Sequence, residues 1–112
     1  MSDIQKTEVQ EVSENISDVF NRFGLDLPLS PANVEDLNQL KAYLTDKLKH
    51  MLDNNFNLLV NTLYRIDVNE EKLNKLFGSK NRVPIPPALA DLIIERQLQK
   101  IHFRKKYKKG EL

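Results

Sequence analysis

The chain has 112 residues, 40% of them hydrophobic and 29% charged, with a formal net charge of +1 and no cysteine. That length and balance suit one globular domain, 1–112, with a core of its own. Disulfides, thiolate metal centres and thiol redox chemistry are excluded, and no run of about 18 apolar residues is present to span a membrane.

The small net charge conceals a gradient. Residues 1–30 carry six acids against two bases, and residues 31–66 carry four of each. Residues 67–95 carry five acids against four bases, and residues 96–112 seven bases against one acid, or +6. Such asymmetry points to a partner for one end of the chain, or to the two ends meeting. The N-terminal stretch lacks the basic start and apolar run of a secretory signal, so a cytoplasmic protein is expected.

In chain order, Val9, Val12, Ile16, Val19, Phe20 and Phe23 recur at steps of three and four, the mark of one apolar helix face. Gly24 then suits the residue just past a helix end, where positive φ costs glycine little. Residues 1–7 have no such pattern and are expected to fray. After a connector stiffened by Pro28, Ser30-Pro31 forms a start signal: serine to cap, proline at the first helical position.

The next apolar series runs Val34, Leu37, Leu40, Leu44, Leu48, Leu52, Phe56, Leu59, Leu63 and Ile66. Asp53-Asn54-Asn55 favours a turn, but the spacing keeps helical phase across it. We therefore expect one long helix over about 31–66. Asp67 and Glu70 can form the capping pair of a short helix bearing Leu73, Leu76 and Phe77, closed by Gly78. Pro84, Pro86 and Pro87 fit a connector and the first turn of a last helix, about 87–106. No strand-like alternation or repeat is present. The expected fold is all-α with about four helices, the long central one packed against an N-terminal and a C-terminal helix.

A straight helix over 31–66 would be about 54 Å long, whereas a compact domain of this size is roughly 34 Å across. An apolar stripe that overhangs its own domain marks an interface. Either the helix breaks near Asn54, or two chains share the stripe. The second alternative makes the protein a homodimer with Leu44, Leu48, Leu52 and Phe56 at or near the contact.

The basic C-terminal end, 104–112, is the other candidate. Arg96, Lys100, Arg104 and Lys108 fall at steps of four and form one helical ridge, widened by Lys105, Lys106 and Lys109, with Phe103 and Tyr107 among them. Cations track phosphates and aromatics stack on bases, so Arg96, Lys100, Arg104, Lys105, Tyr107 and Lys108 are candidate nucleic-acid contacts. The competing accounts are a solubilising helix end that complements the macrodipole, and contact with an acidic surface such as Glu11, Glu14 and Asp18.

The remaining clusters are weak. His50 shares a helical face with Asp46 and Asp53, but one helix seldom supplies a full metal site. Tyr64, Arg65, Asp67, Glu95 and Arg96 can meet if helices pack, as ion pairs or as acid–base groups. Pro84-Ile85-Pro86-Pro87 has P-x-x-P spacing but runs straight into a helix. Gly78-Ser79-Lys80 lacks the earlier glycine and the strand of a phosphate-binding loop. No catalytic residue, metal or cofactor is expected. The sequence favours a non-catalytic module for protein interaction or self-association, with a nucleic-acid-associated accessory protein as the alternative.

Overall fold

The computed structural model describes residues 8–27 and 35–108, except for the side chains of the last two. Among these residues there are five helices and no strand: α1 (Glu8–Arg22), α2 (Leu37–Asn54), α3 (Phe56–Arg65), α4 (Glu70–Leu76) and α5 (Ile85–Lys108). Among the described residues no helix is long and apolar enough to cross a membrane.

α1 turns Val12, Ile16 and Phe20 inward. It ends as its sequence predicts: Gly24 has φ +92°, its N–H reaches the Asn21 carbonyl at 3.1 Å, and the Leu25 N–H reaches the Phe20 carbonyl at 2.9 Å. These paired bonds satisfy carbonyls that the helix leaves open. The chain then folds back over α1. The Ser17 hydroxyl donates to the Leu27 carbonyl at 2.7 Å, and the Asn21 side-chain oxygen accepts from the Leu27 N–H at 2.8 Å. Leu25 and Leu27 are thereby buried.

α2 starts at Leu37. The Asp36 carboxylate accepts from the Gln39 N–H at 2.8 Å, and the Gln39 side-chain oxygen accepts from the Glu35 N–H at 2.7 Å. The Ser30-Pro31 start signal lies outside the described residues. The single long helix is not what forms: Asn55, at φ −137° and ψ 40°, is non-helical and separates α2 from α3. Its backbone still serves both helices, its N–H bonding the Met51 carbonyl at 2.7 Å and its carbonyl accepting from the Leu59 N–H at 2.8 Å. α2 buries Leu40, Leu44, Leu48 and Met51, and α3 buries Leu59, Thr62 and Leu63. Phe56, in phase on paper, turns outward.

Asp67 does not cap α4. It takes the left-handed turn after α3, at φ +65°, a conformation aspartate tolerates better than most residues. The cap is Asn69, whose side chain accepts from the Lys72 N–H at 2.9 Å. α5 begins two residues earlier than expected, so Pro86 and Pro87 sit in its first turn, where a missing N–H is harmless.

The central helix is α5 rather than α2. It packs most extensively on α2 and also on α1 and α4. Leu89, Ala90, Ile93, Ile94 and Ile101 of α5 join the α1, α2 and α3 residues in one core. Each large aliphatic side chain so buried contributes about 1.5–3 kcal/mol.

Candidate interaction surfaces

The packing of α5 on α2 changes what the candidate self-association residues do. Leu44 and Leu48 are fully buried in the chain's own core, so neither is at a surface. α5 covers the stripe that a straight helix would have left overhanging. Leu52 is half-buried against that core. Of the four, only Phe56 is exposed, at 47%.

Phe56 belongs to a different face. Residues 54–64 contain no Asp, Glu, Lys or Arg, in a chain that is 29% charged. α3 turns Leu59, Thr62 and Leu63 inward, and the Thr62 hydroxyl donates to the Leu58 carbonyl at 2.8 Å. The outer face presents Phe56, Val60 and Tyr64, four residues apart, with Tyr64 48% exposed. The Phe77 ring meets Phe56 edge-on, centroids 5.9 Å apart. Phe56, Val60, Tyr64, Leu73, Asn74 and Phe77 are among the residues around a shallow cleft of about 190 Å³ between α3 and α4. Asn57 and Asn61 flank it, exposed and uncharged.

The basic ridge divides into two halves. At its inner end Arg96 donates to the Asp67 carboxylate at 3.1 Å and to the Gln99 side-chain oxygen at 3.2 Å. The Arg96 Nε is buried without a hydrogen-bond partner among the described residues. Lys100 donates to the Ile66 carbonyl at 2.9 Å, satisfying an acceptor left open at the end of α3. These two side chains clamp the α3–α4 turn. Burial first, and then the neighbouring Arg96 charge, pull the Lys100 pKa below the usual lysine value. Asp67 opposes this, and Arg104 adds a smaller push downward.

At the outer end the acidic helix meets the basic one. Glu8 lies 2.8 Å from the His102 Nε2, and Glu11 lies 4.0 Å from the Lys105 Nζ. Arg104 and Lys106 are exposed, and Phe103 is 61% exposed. Arg96, Gln99, Lys100, Phe103 and Arg104 line an open cleft of about 530 Å³. The side chains of Tyr107 and Lys108 lie outside the described residues.

The other clusters disperse. Glu95 pairs with Lys72 at 3.2 Å, Arg96 with Asp67, and Arg65 lies over the Phe23 ring at 5.0 Å, so the five acid–base candidates do not converge. Asp46, His50 and Asp53 are all exposed, and among the described residues no three His, Asp or Glu side chains are grouped to hold a metal ion. The α3 face is hidden in sequence because the apolar series runs unbroken across residues 53–55. Its signal in sequence is the absence of charge over 54–64.

Comparison with protein-family models, curated proteins and solved structures finds no match for this chain.

Proposed function

We propose that this chain is a non-catalytic interaction module that pairs with a second copy of itself through the outer face of α3. The supporting observation is the charge-free face itself, with Phe56 and Tyr64 each about half exposed. Interface centres are enriched in aromatics and depleted in charge. A symmetric contact sets each residue near its own copy, so any net charge on the face would repel itself. Here no such penalty arises. The ten residues of α3 are about 15 Å long, so even with Phe77 and Asn74 the face is smaller than a standard interface of about 800 Å² a side. The dimer is accordingly weak, with a dissociation constant of about 10–100 μM. Sedimentation velocity over that concentration range tests it, with Tyr64→Glu as the variant that places like charges face to face.

A second reading, single-stranded nucleic acid at the far end of α5, is favoured by Phe103 standing exposed beside Arg104. With Arg96 and Lys100 tied to the α3–α4 turn, about three phosphate contacts remain. The logarithm of affinity should then fall with the logarithm of salt at a slope of about −2. Absence of binding to an oligothymidine at about 50 mM salt and 10 μM protein refutes that reading.

A further inference from the structure

The stretch from residue 72 to residue 90 contains Lys72, Lys75, Lys80 and Arg82 and no acid. Wider windows hide this, because Asp67, Glu70, Glu71, Asp91 and Glu95 stand on either side. The structure shows which nearby acids are already engaged. Asp91 pairs with Lys41 at 3.0 Å and Glu95 with Lys72 at 3.2 Å. Glu71 lies 3.7 Å from Lys75, but both side chains are about 80% exposed, so that pair is largely screened by water. Lys80 and Arg82 have no acidic partner among the described residues.

These cations surround two adjoining concavities. Lys75, Gly78, Ser79, Lys80 and Arg82 line a basic cleft of about 590 Å³ in the loop between α4 and α5. Leu76, Val83, Ala88 and Leu92 line an apolar groove of about 290 Å³ beside it, and both are bordered by Lys75 and Asn81. Val83 is 54% exposed at the junction. Neither concavity has an aromatic wall, so nothing here can stack a nucleobase. Asp91 on the rim of the groove also disfavours a polyphosphate.

We propose that this loop and groove form a docking surface for an acidic segment of a partner protein that carries aliphatic or aromatic side chains. The carboxylates of the segment meet Lys75, Lys80 and Arg82, and one apolar side chain enters the groove of Leu76, Val83 and Leu92. Charge selects and steers the segment, and the groove sets its register. The surface lies on α4, α5 and their loop. It is separate from the α3 face proposed for self-pairing, and does not depend on it.

The test is fluorescence anisotropy with the full chain and a labelled peptide of about twelve residues, rich in aspartate and glutamate, with two leucines and a phenylalanine. A second peptide replaces those three by serine. The first should bind with a micromolar dissociation constant at about 50 mM salt, and the serine peptide about tenfold more weakly. Lys80→Glu combined with Arg82→Glu should weaken binding of the first at least about tenfold, and Val83→Asp about tenfold. All three residues are exposed, so circular dichroism should find each variant folded. Three results overturn the proposal: no binding of the first peptide at about 100 μM, equal binding of the two peptides, or equal affinity for inorganic polyphosphate. The last two would make the loop an unspecific anion sink.

Discussion

Leu48 separates the fold described here from the arrangement in which a long α2 shares its stripe with a second chain. Its side chain is fully buried within one chain, among the largest so enclosed. Truncation by Leu48→Ala removes buried methyl groups and leaves a cavity, which together cost about 2–5 kcal/mol. At about 2.1 cal/mol/K per residue, unfolding 112 residues carries an entropy near 0.24 kcal/mol/K, so a loss of about 3 kcal/mol lowers Tm by about 13 °C. Total stability for a domain of this size is about 5–15 kcal/mol, so the variant folds but is visibly weakened. Thermal and urea unfolding followed at 222 nm, with protein at about 2 μM where a weak dimer is dissociated, isolates the monomer term. If Leu48→Ala leaves monomer stability within about 0.5 kcal/mol of the parent while abolishing association, Leu48 belongs to an interface and the packing of α5 on α2 is wrong.

Gly24→Ala should cost about 1–2 kcal/mol, measured by urea unfolding. A Cβ there would meet only the Leu58 Cδ2 at 3.6 Å, so the cost comes from φ +92° and not from crowding; Gly24→Asn should therefore recover part of it. Lys100 gives a pH signature. Its folded-state pKa lies below the ordinary 10.5, so in the window between the two the unfolded chain binds more protons and stability rises with pH. At neutral pH the ammonium is charged in both states, and the cost of desolvating it is fully present. Relative to Lys100→Met, the parent should gain stability as pH rises through that lowered value toward 10.5, read as the difference in urea midpoints. A difference that stays constant or shrinks contradicts the half-buried position of Lys100.

Much of the helical architecture was legible because periodicity and end signals are local. The α1 stripe ending in Gly24 and the proline-led start of α5 follow from residue type alone. The break at Asn55 was not legible: steps of three and four continue across it, and periodicity cannot register one non-helical residue whose backbone still bonds to both neighbours. The α4 cap is ambiguous in sequence because Asp67 and Asn69 are both good caps two residues apart, and only backbone geometry shows that Asp67 has entered the left-handed region. Arg96, Lys100, Arg104 and Lys108 all lie on α5. The inner half of this ridge nonetheless works inside the fold, because Arg96 and Lys100 face the turn after α3, a neighbour that spacing along α5 cannot reveal. The uncharged α3 face required two facts together: the absence of charge, which the sequence carries, and the outward direction of Phe56 and Tyr64, which the packing of α3 shows.

Sedimentation velocity of the parent and Tyr64→Glu, from about 5 to 500 μM, tests the central claim most directly. Tyr64 is 48% exposed, so the substitution leaves the core intact. The parent should shift from monomer toward dimer across the range, and Tyr64→Glu should remain monomeric with an unchanged unfolding midpoint. A parent that stays monomeric at about 500 μM, or a Tyr64→Glu protein that dimerises as the parent does, contradicts self-association through α3.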